Sequence, residues 1–194
     1  LHNGADNLTE VNVAYEQTSG DALVIHGKLS DEIYYRIWNG SSWSGENSTA
    51  VASGTSTTSS SRWSTIASDP NSDRIVIGVH NQVNDGWVAI WDGSAWGSIA
   101  AASIGSPVDI FPGVAVAFEG TSGEALAVYA ESTNAVRYRT WNGAWGGELD
   151  GPDPKNDPNS MTLSGRQSGD EIMLAVQDAS SDLSFAEWDG GSWG

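Results

Sequence analysis

Short apolar runs punctuated by polar turns recur along the whole chain, and their spacing predicts strands rather than helices. In the first copy the runs are Val11 to Glu16, Ala22 to His26 and Ile33 to Trp38, separated by Thr18-Ser19-Gly20-Asp21 and by Lys28 to Asp31. The third copy repeats the scheme with Val114 to Glu119, Thr121-Ser122-Gly123-Glu124, Ala125 to Tyr129 and Val136 to Trp141. Every copy closes on a Trp followed by Asn-Gly or Asp-Gly and then a second Trp: Trp38 and Trp43, Trp91 and Trp96, Trp141 and Trp145, Trp188 and Trp193. Asn-Gly and Asp-Gly readily take the positive φ angles of a two-residue type I′ turn, so each copy reads as a tight hairpin. Its second arm, around Trp43 in the first copy, is expected to supply a fourth strand.

The first tryptophans of the motifs lie 53, 50 and 47 residues apart, a period that suits a four-stranded propeller blade better than a helical repeat. The even copies share a dialect of their own, Ser68 to Val79 answering to Arg166 to Val176. The repeats thus alternate, and a pair of blades is the larger unit. The expected fold class is all-β, a β-propeller-like array of four four-stranded antiparallel blades, either a closed four-blade propeller or part of a larger ring. One repeat domain covers 1–194, with repeats of approximately 1–50, 51–103, 104–150 and 151–194. The Ser53 to Ser61 stretch and the Pro- and Asp-rich Gly151 to Ser160 read as loops between blades. A sandwich would not demand the same Trp hairpin at four near-equal intervals.

Composition narrows the partners. With 25 acidic against 8 basic residues the formal charge is −17, which repels nucleic acid and anionic membrane surfaces. There is no Cys, so neither disulfides nor thiolate metal sites arise. No run approaches the roughly 20 apolar residues of a membrane span. The chain opens Leu1-His2-Asn3, which suggests a processed chain or a segment of a longer one. Sparse Lys with abundant Ser, Thr, Gly, Asn and Trp points to an extracellular or cell-surface setting.

Flat indole faces suit sugar stacking, yet recurrence of the eight motif tryptophans in every copy is what a packing requirement predicts. A buried aromatic hides ~150–250 Å², worth at most about 4–6 kcal/mol. Alternation along the third strand puts Tyr34, Arg36 and Trp38 on one face and Tyr35 on the other. Arg139 repeats Arg36 and Tyr138 repeats Tyr35, whereas the even copies have Ala89 and Ala186 at the Arg position. The repeated Arg is read either as an interblade clamp on an aromatic ring or carboxylate, or as a holder of an anionic ligand such as an acidic sugar. His26 aligns with Tyr129 and His80 with Gln177, and His2 is isolated, so no His-based metal site or triad takes shape. Asp150, Asp153 and Asp157 could offer oxygen ligands to calcium, but they lack the alternating order of a calcium loop, and a solvated acidic loop is the plainer reading. Asn7, Asn39 and Asn47 open glycosylation sequons. No catalytic motif or marked carboxylate pair appears.

The Tyr-Arg-x-Trp-Asn-Gly pattern before the second Trp, preceded by Thr-Ser-Gly-Asp/Glu-Ala-Leu, resembles β-propeller-like repeats of mostly uncharacterised secreted or surface proteins of prokaryotes. More distantly it is similar to lectin propellers, in which neighbouring blades share a sugar pocket. The Asp-box of sialidases is absent. Trp91-Asp92 and Trp188-Asp189 match the Trp-Asp pair of WD repeats without their Gly-His element. The resemblance supplies an architecture rather than an activity. The first functional reading is a non-enzymatic structural or adhesive module without a required cofactor; if its ring does not close, exposed strand edges favour self-association into a larger ring or filament. The alternative is a lectin binding glycans between blades through Tyr35, Arg36, Tyr138 and Arg139. A glycoside-acting enzyme is a third reading.

Overall fold

A computed structural model describes residues 11–28, 30–50, 55, 59–105, 112–131 and 134–194. His2, Asn7 and parts of the Ser53 to Ser61 loop lie outside the described residues. Among the described residues, fifteen strands form four antiparallel sheets. The first contains β1 (Val11–Tyr15), β2 (Ala22–Lys28), β3 (Ser30–Trp38) and β4 (Asn47–Ser48). The second contains β5 (Ser61–Ser68), β6 (Ile75–Asn81), β7 (Gly86–Trp91) and β8 (Trp96–Ala102). The third contains β9 (Val114–Phe118), β10 (Ala125–Glu131), β11 (Ala135–Trp141) and β12 (Leu149–Asp150). The fourth contains β13 (Pro158–Gly165), β14 (Ile172–Asp178) and β15 (Leu183–Trp188).

Three expectations need correction. The fourth sheet has three strands, because only an isolated bridge from Trp193 to Trp188 takes the place of an outer strand. In the first sheet Trp43 likewise forms a bridge to Trp38, and pairing resumes at Asn47. The motif turns are also not type I′. Gly40, Gly93, Gly143 and Gly190 have positive φ, but the residues before them do not. Three of the four turns are held by the Asn or Asp side chain: Asn39 Oδ1 accepts the N–H groups of Ser41 and Ser42 at 3.1 and 2.9 Å, and Asp92 and Asp189 repeat this. Such an Asx turn satisfies two backbone donors and needs left-handed backbone only at the Gly. The strands β2 and β3 also extend to Lys28 and from Ser30, into the stretch expected to be a turn.

The first strands of successive sheets contact one another, β1 with β5, β5 with β9 and β9 with β13, which sets them around a common axis. Among the described residues β13 and β1 make no comparable contact, and no closed barrel forms. Each sheet has a leading face toward the sheet before it and a trailing face toward the next. Period-2 alternation sorts the residues between them: Val114, Val116 and Phe118 lie on the leading face of the third sheet, in register with Tyr129, Ala127 and Ala125 of β10.

The alternation of the sequence becomes two kinds of junction. At the first-to-second junction Glu16 is buried; its Oε1 accepts the Trp91 indole N–H at 2.6 Å and its Oε2 accepts the Ser19 hydroxyl at 2.5 Å. Asp73 Oδ1 accepts the N–H groups of Thr18 and Ser19. The third-to-fourth junction repeats every part, with Trp188 on Glu119 at 2.7 Å, Ser122 on Glu119, and Thr121 and Ser122 on Asp170. At the second-to-third junction the position of Glu16 is taken by Asp69, which pairs with Arg74 at 2.9 Å, and the guanidinium lies 5.2 Å from the Trp141 ring centroid. Asn71 donates to the Gly120 carbonyl across the same junction.

Candidate functional site

The inner strands all run toward the same end of the axis, where the segments that follow them converge. There, Gln17, Ser68, Pro70, Ser164, Arg166 and Gln167 rim a recess of about 300 Å³. Its walls are Ile66, Val116, Phe118 and Leu163, side chains of β5, β9 and β13. Arg166 Nη1 donates to Glu171 Oε1 at 2.9 Å, and Gln17 Nε2 donates to the Tyr15 carbonyl at 3.1 Å. The lining holds amides, hydroxyls and one guanidinium above apolar walls, and no Asp or Glu. Such a surface can hydrogen-bond a neutral polyhydroxylated ring while its C–H face rests on apolar atoms.

The structure separates the residues that the sequence had grouped. Tyr35 lies on the trailing face of the first sheet, with its ring centroid 5.4 Å from Trp91 and 6.2 Å from Trp96 of the second. Tyr138 repeats this against Trp188 and Trp193 at 5.4 and 5.8 Å. Burial raises the Tyr35 hydroxyl above its ordinary pKa. Arg36 and Arg139 point the other way, on the leading faces. Arg36 is exposed, whereas Arg139 donates to the Gly146 carbonyl at 2.6 Å and sits 3.3 Å from Glu148. Glu148 in turn accepts the Ser103 N–H and hydroxyl from the end of the second sheet. Burial pushes the Glu148 carboxyl up, but the Ser103 hydrogen bonds and the Arg139 charge outweigh it and leave the group below its ordinary value.

Trp91, Trp141 and Trp188 are buried, Trp96, Trp145 and Trp193 half-buried, and Trp43 is 51% exposed. Each acidic residue of the 150–157 loop has its own partner: Asp150 pairs with Arg137, Asp153 accepts from Lys155, and Asp157 accepts the Asn134 N–H. Among the described residues no group of three or more His, Asp or Glu gathers to hold a metal. His26 lies 3.3 Å from Glu46, and buried His80 lies 3.3 Å from Asn84 Oδ1.

The fold, rather than the site, is similar to that of known structures. SapL1 lectin in complex with α-methyl fucoside is similar over 98% of this chain and 62% of its own, with a TM-score of 0.61 and 15% identity. AofleA from Arthrobotrys oligospora is similar over 98% and 56%, with a TM-score of 0.65 and 9% identity. The six-bladed propeller lectin of Aleuria aurantia is similar over 90% and 55%, with a TM-score of 0.55 and 19% identity. The fold is that of a β-propeller. The chain spans little more than half the length of these structures. No protein-family model and no curated protein matches the chain.

The rim of the axial recess escaped the sequence reading. Its signal was nonetheless present: Gln17, Pro70, Gly120 and Gln167 occupy the same place, two residues beyond the first strand of each repeat.

Proposed function

We propose that the chain is a non-enzymatic glycan-binding module that holds a neutral terminal sugar in the axial recess. The observation that carries this reading is the recess lining, amides and hydroxyls over apolar walls without a carboxylate. Hydrolysis of a glycosidic bond needs a pair of carboxyl groups on either side of it, so this lining suits binding rather than cleavage. Two of the similar structures named above are lectins, one solved with α-methyl fucoside and the other described by its recognition of fucose, and α-fucosides are therefore the first ligands to test. The extracellular or surface setting expected from composition belongs to the same proposal.

A second reading places two equivalent sites at the junctions, at Tyr35 and Arg36 and at Tyr138 and Arg139. The half-buried Trp96 and Trp193 beside the two tyrosines favour it. A glycan array followed by titration separates the readings. Gln17→Ala with Gln167→Ala should weaken binding by about tenfold or more, the loss of roughly 1.4 kcal/mol, without lowering Tm, since both side chains are exposed. Loss of binding in Arg36→Ala with Arg139→Ala, with the Gln variants unaffected, would move the site to the junctions. Absence of binding to any glycan by the unsubstituted chain would overturn both.

A further inference from the structure

Among the described residues, the first and fourth blades present the two halves of a junction that is already made once between the second and the third. At the second-to-third junction Ala67, Val76 and Ile90 of the trailing face share one core with Val114, Val116, Phe118 and Trp141 of the leading face. Gly78 is so close that a Cβ there would lie 2.6 Å from Val114 and 3.0 Å from Val116. The register carries these positions to the ends. On the leading face of the first blade, Val11, Val13 and Tyr15 stand for Val114, Val116 and Phe118. On the trailing face of the fourth, Met173 and Phe185 stand for Val76 and Val88. Val116 is 5% and Val88 0% exposed, but Val13 is 58% and Phe185 68% exposed. The same side chains that are core inside the array are surface at its ends.

We infer that these end faces bind one another between copies of this chain, head to tail, the trailing face of the fourth blade on the leading face of the first blade of the next molecule. The occupant is fixed by type. A fourth-blade trailing face is of the even kind, and within the chain an even trailing face meets an odd leading face, which a second copy supplies. Charge agrees with this pairing. The trailing face carries exposed Glu187 where the second blade has Ile90, and the leading face carries exposed Arg36. A recess of about 350 Å³ beside Met173, Glu187, Ser164 and Arg166 lies open on the trailing face. In the internal junction the matching positions Ala67, Val76 and Ile90 belong to one core with Phe118, and Tyr15, which stands for Phe118, is the side chain assigned to it. A contact between two different faces is heterologous, and propagates into a ring or an open filament according to whether its rotation closes.

Two variants of exposed residues test this, Val13→Glu on the leading face and Phe185→Lys on the trailing face. Light scattering on the unsubstituted chain should give multiples of 20.4 kDa that grow with concentration. Each variant alone should give only the single chain. An equimolar mixture should give a one-to-one pair and nothing larger, because the intact trailing face of Val13→Glu meets the intact leading face of Phe185→Lys. Circular dichroism confirms that both variants remain folded. A single-chain mass for the unsubstituted protein at every concentration would overturn the inference. So would a mixture that stays at the single-chain mass, or variants that assemble alone.

Discussion

The close approach at Gly78 gives the sharpest test of how the second and third sheets meet. In Gly78→Ala the new methyl would lie 2.6 Å from Val114 Cγ2, 3.0 Å from Val116 Cγ1 and 3.3 Å from Thr65 Oγ1. Ordinary contact begins near 3.4 Å, so one of two buried valines must move by most of an ångström inside a packed junction. Overpacking of this kind costs about 1–3 kcal/mol. Loss of backbone freedom in the unfolded chain opposes it by about 0.4–1 kcal/mol. The crowding wins, with a net cost of about 1–2 kcal/mol and a Tm fall of roughly 2–8 °C for a domain of this size. Gly97→Ala is the control, since nothing lies within 4 Å of its Cβ position, and it should be neutral or slightly stabilising. Adding Val114→Ala to Gly78→Ala should cost less than Val114→Ala alone, because the methyl fills the vacated space. A Gly78→Ala chain as stable as the unsubstituted one, by thermal and urea unfolding, would refute the packing described for this junction.

Buried Glu119 and half-buried Glu148 should respond to pH with opposite signs. Burial raises the Glu119 carboxyl above its ordinary 4.5, aided by Glu124 and Asp170 against the hydrogen bonds from Ser122 and Trp188. As pH falls toward 4.5 the folded chain takes up this proton before the unfolded one does, so stability gained from Glu119 rises in that window. The Tm of the unsubstituted chain minus that of Glu119→Gln should therefore increase between neutral pH and about 4.5. Glu148 is held below its ordinary 4.5. Its contribution is complete above 4.5 and is lost as pH falls below it, so the difference from Glu148→Gln should shrink there. A pH-independent difference for either residue would contradict its assignment. Asp170→Ala removes the acceptor of two N–H groups, both at 2.8 Å, and should cost about 1–2 kcal/mol in urea unfolding; an unchanged midpoint would mean that water replaces it without loss. Any acidic glycan that binds should do so better as salt is raised, since the −17 charge repels it at low ionic strength, whereas a neutral glycan should be indifferent.

The strand pattern and the odd-even alternation were legible because both are written in local periodicity and in residues repeated at fixed distance. Glu16 and Asp69 even showed where the two dialects part, as each follows its first strand by one residue. What sequence could not provide was the direction in which each side chain finds its partner. Tyr35 and Arg36 are adjacent in sequence, and alternation already placed them on opposite faces, yet only the sheet order tells that one meets Trp91 and Trp96 while the other meets solvent. The recess was hidden for the same reason: Gln17 and Gln167 are 150 positions apart and share a rim only because the array curves. The turn type failed on a finer point. Asn-Gly permits positive φ at both residues, but the Asn side chain caps the following N–H groups, and that bond selects a different turn.

One motif has three fates along the array, and the difference lies in what precedes it. Trp91 and Trp188 donate to a buried Glu, Trp141 lies under Arg74, and Trp38, with no blade before it among the described residues, is less buried than the other three. Each junction is directional, a trailing face on a leading face, so among the described residues one face of each kind has no partner sheet. The two places argued for function then share a wall. Ser164, Gly165 and Arg166 border both the axial recess and the open seat on the trailing face. If both proposals hold, a second copy seated there would touch the rim of the recess, and a sugar in the recess would touch the rim of the seat. Linkage makes such an effect reciprocal: whatever factor assembly imposes on glycan affinity, glycan imposes on assembly.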